Sequence, residues 1–236
     1  MNIGIDIDGV LTNDDEYLLD FTSKYCYENN LSGFLDANLY EYSKYDWDEN
    51  TINNYRKKYF VNYCKNVPAR RFASEVIKKL RKDGHKIFII TGRHKTANNG
   101  KINNSNIRKC TLKWLRKNKI EYDKAIFTLP PKVNEVIENK IDLMIEDTPV
   151  TINELVKVVK VLYYDTPYNK NIENENITRV FSWYDIYMKI KNMEWKTHIK
   201  AYKEKVLFPS LYWFMLTTVF LFIIFFTTYN SNYTNY

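Results

Sequence analysis

The chain has 236 residues, 45% of them hydrophobic, and a formal net charge of +7 from 35 Lys and Arg against 28 Asp and Glu. That is enough apolar material for one α/β domain of ordinary size plus an accessory element, while the basic balance admits an anionic substrate, a nucleic acid or an anionic membrane surface without choosing among them. The three cysteines, Cys26, Cys64 and Cys110, are widely spaced and form no C-x-x-C pair, which excludes a disulfide framework or a cysteine zinc site and fits a reducing compartment.

The first apolar run, NIGIDI (2–7), reads as a buried strand that ends in two carboxylates, Asp6 and Asp8, and then Gly9. It is too short for a signal peptide, is interrupted by the aspartates and follows no basic segment. Buried carboxylates are expensive unless a metal or a partner satisfies them, so the pair marks a candidate metal site. Asp6 and Asp8 lie on the same side of an extended chain, because side chains alternate with period two.

Residues 14–69 are helical and aromatic in pattern, and more than fifty residues is far too long for an ordinary strand-to-helix connection. They are predicted to form a small helical cap inserted after the first strand. Its aromatic residues Tyr17, Phe21, Tyr45 and Trp47 could stack on a nucleobase, although packing in the cap core is the favoured expectation.

From residue 70 onward strands and helices alternate. KIFIIT (86–91), KAIFT (124–128), IDLMIE (141–146) and KVVKVLYY (157–164) read as buried strands. ASEVIKKLRKDG places Val76, Ile77 and Leu80 on one helical face and stops at Gly84. NSNIRKCTLKWLRKNK places Ile107, Cys110, Leu112, Trp114 and Leu115 likewise, and PKVNEVIENK is a short helix opened by a proline. This alternation predicts βαβ units and a parallel sheet covered on both faces.

The C-terminal part has a different character. Residues 186–205 read as a basic helical linker, and Val206 to Tyr229 form an uncharged apolar run of 24 residues, long enough to span a bilayer. Six lysines between 189 and 205, and none in the tail 230–236, predict a single-pass C-terminal anchor with the catalytic domain in the cytoplasm.

In an open parallel sheet, ligands bind beyond the carboxyl ends of the strands. The first strand there offers Asp6 and Asp8, the second Thr91, Gly92 and Arg93, the third leads to Lys132, and the fourth ends in Glu146 and Asp147. Each end carries groups suited to phosphate or Mg²⁺. DIDGV, IITGR, a lysine at a helix start and LMIEDTP together resemble the four motifs of haloacid dehalogenase superfamily phosphatases, and are similar above all to the 5'-nucleotidase-like branch with an inserted helical cap.

The resemblance covers residues 1–185. It implies a Rossmann-like α/β core built from 1–13 and 70–185, with Asp6 as a nucleophile that forms an aspartyl-phosphate. Asp8 would serve as general acid and then base, and Thr91, Gly92, Arg93 and Lys132 would contact the phosphate or neutralise its charge. Lys124 and Lys140 compete with Lys132 for that role. Mg²⁺ would be held by Asp6, the Asp8 carbonyl and one of Glu146 and Asp147, with the choice between the last two open. Zinc is not expected, since His85 and His198 lack partners at ligand spacing.

The sequence thus points to a Mg²⁺-dependent phosphomonoesterase acting on a small phosphate ester, a nucleoside monophosphate first, with no specific nucleic-acid partner and with a membrane partner through the C-terminal helix. A dehalogenase is disfavoured because Asp8 fills the general-acid position. Two alternatives are a membrane-anchored non-catalytic phosphate- or nucleotide-binding module, against which the complete acid set argues, and a phosphatase of a lipid-linked or cell-envelope precursor, suggested by the apolar tail alone.

Overall fold

In the computed structural model, residues 1–36, 38–93, 101–102, 105–202 and 218 are described. They carry eight strands: β1 (Asn2–Ile5), β2 (Lys86–Thr91), β3 (Lys101–Ile102), β4 (Ser105–Asn106), β5 (Lys124–Phe127), β6 (Leu143–Glu146), β7 (Lys160–Tyr164) and β8 (Ile177–Val180). The helices among them are α1 (Asp14–Asn29), α2 (Glu49–Asn66), α3 (Ala73–Lys82), α4 (Ile107–Lys117), α5 (Val133–Glu138), α6 (Pro149–Leu155) and α7 (Trp183–Tyr202).

Six strands form one parallel sheet in the order β5-β2-β1-β6-β7-β8, and β3 and β4 make a small antiparallel pair. Strand β1 lies inside the sheet because after Asn2 its side chains are apolar or absent: Ile3 and Ile5 are wholly buried on one face. On the other face a β-carbon at Gly4 would stand 2.6 Å from Sδ of Met144 on the adjacent strand β6, so a larger residue there would force that side chain to shift. Helix α3 covers the sheet with Val76, Ile77 and Leu80, as its spacing predicts. Ile90, Met144, Ile152 and Leu155 build an apolar cluster that α6 helps to close.

The register sets the site. Ile5 pairs with Ile89 on one side and with Ile145 on the other, so Asp6 and Glu146 leave the sheet at the same level. Thr91 pairs with Phe127, which brings the end of β5 and the following loop to Lys132 up to the same rim. The strand order reverses direction about β1, and this is the crevice where ligands of such sheets bind.

Between β1 and β2 come α1, a 3₁₀ turn (Glu41–Lys44) and α2. Asp48 starts α2 by accepting the N–H of Thr51 at 2.7 Å, which satisfies one of the orphan donors of the first turn. Tyr25, Tyr45, Trp47 and Tyr55 fuse these pieces into an aromatic core, with Tyr25 edge-on to Tyr55 at 5.4 Å. Trp114 of α4 ties that region to the sheet layer by donating to the Val67 carbonyl at 2.7 Å.

Some sequence expectations shift. The run 157–164 contributes to the sheet only from Lys160, because Lys157 and Val159 donate backward to the carbonyls of Glu154 and Leu155 and close the end of α6. Helix α5 begins after Lys132 instead of at a proline, and the edge strand β8 and the short helix α6 carry no prior signal.

The chain divides into two compact units, Met1–Tyr187 and Met188–Tyr236. In the second, residues to Tyr202 continue α7, with Lys191 paired to Glu194 at 2.9 Å. The expected membrane anchor, and with it the membrane partner and the localisation built on it, is corrected: among the described residues no helix is long and apolar enough to cross a membrane. Helix α7 carries Lys189, Lys191, Lys196 and Lys200, charges that hydrocarbon does not tolerate, and the apolar run 206–229 itself lies outside the described residues.

Candidate active site

Asp6 is placed by the sheet itself. Its N–H donates to the Ile145 carbonyl at 3.0 Å, so the ladder with β6 runs one residue past β1 and fixes the carboxylate at the rim, where it is buried. Lys132 Nζ reaches Asp6 Oδ1 at 2.6 Å and Glu146 Oε2 at 2.7 Å. Lys132 is buried and holds a left-handed backbone (φ 67°) at the start of α5. That conformation costs a non-glycine residue about 1–2 kcal/mol, and the two ion pairs over-determine it. Glu146 has no solvent contact, and its other oxygen accepts the N–H groups of Asp147 and Thr148, each at 3.2 Å.

Asp147 is the acid left over. Oδ2 accepts the hydroxyl of Tyr168, while Oδ1 is buried with no hydrogen-bond partner among the described residues. Asp6, Glu146 and Asp147 offer oxygens that all lie within 4.8 Å of one another. Burial pushes the Asp6 carboxyl up to about 7 against the pull of Lys132, and the charges of Glu146 and Asp8 add to the rise. Burial, then the charges of Glu146, Asp6 and Asp14, holds Asp147 well above the usual carboxylate range. A crowd of buried oxygens with one orphan is what a hard divalent cation satisfies, and the all-oxygen donor set suits Mg²⁺.

Asp8 sits two residues on, in the loop that Gly9 turns (φ 76°). Arg70 steadies this loop by donating to the Gly9 carbonyl at 3.1 and 2.9 Å from Nε and NH2. Asp8 receives Arg93 Nε at 3.0 Å on both oxygens, Arg93 NH2 at 2.6 Å on Oδ1, and the Tyr63 hydroxyl at 2.6 Å on Oδ1. Thr91 is fully buried, and its hydroxyl accepts the Arg93 N–H at 3.3 Å.

These groups meet in a cavity of about 570 Å³. Asp6, Asp8, Gly92, Arg93, Lys132 and Asp147 border one end of it, whereas Thr91 and Glu146 stand behind that border. Tyr17, Phe21, Tyr45, Tyr55, Tyr59 and Phe60 line the remainder, so the cap supplies an aromatic wall above an ionic floor. Of the four cap aromatics singled out in the sequence, Tyr17, Phe21 and Tyr45 border the cavity, and Trp47 is buried in the cap core.

Every strand-end residue expected at the site therefore lies in one place. Sequence reasoning missed Tyr63, Tyr168 and Arg70. Tyr55, Tyr59 and Tyr63 recur every four residues along α2, and that stripe is the signal that could have marked the face of the helix turned to the core.

A family model described as 5' nucleotidase, deoxy (pyrimidine), cytosolic type C, matches residues 1–196. The chain belongs to this nucleotidase family. A nucleotidase of Clostridium acetobutylicum is 30% identical to this chain over 190 residues, covering 79% of this chain and 92% of its own. Among solved structures, a "predicted phosphatase" from Clostridium acetobutylicum superposes with TM-score 0.57 at 13% identity, covering 81% of this chain and 98% of its own. A "predicted phosphoglycolate phosphatase" from Haemophilus somnus does so with TM-score 0.53 at 14% identity, covering 80% and 97%. At such identities these two structures speak for the fold alone, and the fold agrees with the family. This nucleotidase is a phosphoric monoester hydrolase of the haloacid dehalogenase superfamily, 5'-nucleotidase type.

Proposed function

We propose that the protein is a Mg²⁺-dependent phosphomonoesterase whose substrate is a nucleoside monophosphate. The observation that carries this reading is the cavity with Asp6, Asp8, Lys132 and Asp147 at its floor and cap aromatics as its wall. The floor suits a phosphate and a cation. The wall offers apolar rings to a planar base, and the volume falls within the range of small-molecule sites.

Asp6 is the nucleophile: one of its oxygens attacks phosphorus as the ester P–O bond breaks, giving an aspartyl-phosphate. Asp8 donates a proton to the departing alkoxide. Water then attacks phosphorus, Asp8 takes its proton, the bond from phosphorus to Asp6 breaks, and inorganic phosphate leaves. Lys132 favours the ionised form of the attacking carboxylate against its burial and sits where negative charge gathers on the phosphoryl oxygens. Asp6, the Asp8 carbonyl and Asp147 are the residues that would hold Mg²⁺, with Glu146 occupied by Lys132 and the two backbone N–H groups. When bound, the cation neutralises charge on the phosphoryl group.

The test is phosphate release by the full-length chain, with Mg²⁺, from nucleoside 5'-monophosphates and from sugar phosphates of similar size. Nucleotides are expected to be hydrolysed with the higher kcat/KM, and Asp6→Asn to abolish turnover. A preference for sugar phosphates would overturn the nucleotide assignment. An inert wild type would overturn the catalytic one.

A further inference from the structure

Asp8 has more partners than a general acid needs, and their arrangement is uneven. Oδ1 collects three N–H or O–H donors: Arg93 Nε, Arg93 NH2 and the Tyr63 hydroxyl. Oδ2 has one shared contact, with Arg93 Nε at 3.0 Å. The Asp8 side chain is 35% exposed, whereas that of Arg93 has no exposed surface. The guanidinium lies behind the carboxylate, held between the rings of Tyr63 and Trp114 at 5.2 and 5.4 Å from their centroids. Its third nitrogen, NH1, is buried without a hydrogen-bond partner among the described residues.

Tyr63 belongs to α2, in the cap, and is separated from Asp8 by 55 residues. Its hydroxyl is 2.6 Å from Asp8 and 3.4 Å from Asp14 Oδ2. It has a single proton, which goes to the nearer acceptor.

We infer that Arg93 and Tyr63 are positioning residues for Asp8: the Arg93 fork, NH2 to Oδ1 and Nε to Oδ2, fixes the carboxylate, and Tyr63 adds a further donor to Oδ1, so that Oδ2, the less engaged oxygen, hands the proton to the leaving group. This rests on the phosphomonoesterase reading above. The bidentate fork fixes the plane of the carboxylate, which a lysine at the same place could not do. The cap contributes one of the two clamps, so a complete acid exists only when α2 is seated on the sheet layer. In the first step the proton moves from Oδ2 to the ester oxygen as the P–O bond breaks. In the second the same oxygen takes a proton from the attacking water.

The experiment compares kcat/KM on two esters with the full-length chain and Mg²⁺. A nucleoside monophosphate has an alkoxide leaving group that needs the proton; 2,4-dinitrophenyl phosphate has one that leaves without it. Asp8→Asn sets the reference pattern. Arg93→Gln is expected to lower kcat/KM on the nucleotide by about 10²–10³-fold, within the usual reach of general acid catalysis, and on the activated ester by less than about tenfold. Arg93→Lys should show the same split, and Tyr63→Phe a smaller one of about tenfold on the nucleotide. Tyr63→Phe keeps the ring in place and reads the proposal even if the arginine variants do not fold.

Equal losses on both esters would show that Arg93 serves phosphate binding or structure, and would overturn the inference with the phosphomonoesterase reading intact. An unchanged Tyr63→Phe enzyme would overturn the part of the inference that concerns the cap. A wild type inert toward both esters would overturn the reading and the inference together.

Discussion

A β-carbon added to Gly9 would stand 2.1 Å from Oδ2 of Asp147. The loop after β1 and the end of β6 are therefore packed to the limit of the backbone, and Gly9 also holds a positive φ of 76°. Gly9→Ala incurs both penalties at once. It is expected to destabilise the fold by about 2–4 kcal/mol, the range for combined strain and overpacking, and to weaken Mg²⁺ binding by displacing Asp147. Urea unfolding and a Mg²⁺ titration of phosphatase activity check this. An alanine variant of wild-type stability and metal dependence would show that the loop has slack that these contacts deny.

The acidic cluster links stability to pH. The Asp6 carboxyl is raised from 3.8 to about 7, and Asp147 is raised as well. A carboxyl raised in the folded state stabilises the fold below its unfolded value and loses that contribution as pH climbs through the folded one. The metal-free protein is thus expected to lose roughly a few kcal/mol between about pH 4 and pH 7 from Asp6, with Asp147 contributing in the same direction. Mg²⁺ should raise Tm by more at pH 8 than at pH 5, and Asp6→Asn should flatten the metal-free profile. Thermal melts in chelator across that range measure it, and a Tm that rises steadily with pH and is indifferent to Asp6→Asn would refute the linkage.

Lys132 is the cation that makes two buried carboxylates tolerable. Removing it as Lys132→Met leaves Asp6 and Glu146 facing each other without a counter-charge, and breaking such a buried pair costs about 3–5 kcal/mol. Adding Glu146→Gln should recover part of that stability, because one of the stranded charges is gone, while activity stays lost. Denaturant midpoints for the single and double variants decide it. A double variant no more stable than the single would mean that Glu146 is not the charge Lys132 offsets.

The rim of the sheet was legible in the sequence because each of its residues follows a short apolar run. Asp6, Thr91 and Glu146 end strands whose composition leaves little doubt about burial, and Lys132 follows a proline pair that stops the preceding strand. The proposal of Asp147 over Glu146 as the cation ligand had no basis in the sequence, since it rests on Lys132 and two N–H groups having claimed Glu146. Nor were Tyr63 and Tyr168, which reach the site across 55 and 21 residues of chain. With 20 tyrosines in the sequence, composition cannot say which of them turns inward. Strand β8 escaped notice because its sequence, ITRV, mixes polar with apolar residues and only Val180 is buried. The C-terminal run 206–229, read as an anchor from its length, its lack of charge and the lysines that precede it, lies outside the described residues.

Tyr168 stands behind the carboxylate of Asp147. Its hydroxyl donates to Asp147 Oδ2, and its ring meets Tyr40 of the cap edge-on at 5.0 Å. Tyr40 in turn has its hydroxyl 3.3 Å from Thr148 Oγ1, next to Asp147 in the chain. A donor that orients a metal-binding carboxylate commonly changes metal affinity by about 10–100-fold when removed. Tyr168→Phe keeps the ring contact with Tyr40 and deletes the donor alone, so it is expected to raise the Mg²⁺ concentration for half-maximal activity by about tenfold. At saturating Mg²⁺ its kcat should return close to the wild-type value, because Asp6 and Asp8 are untouched. A variant whose kcat stays low at all Mg²⁺ concentrations would place Tyr168 in contact with the substrate instead of behind Asp147.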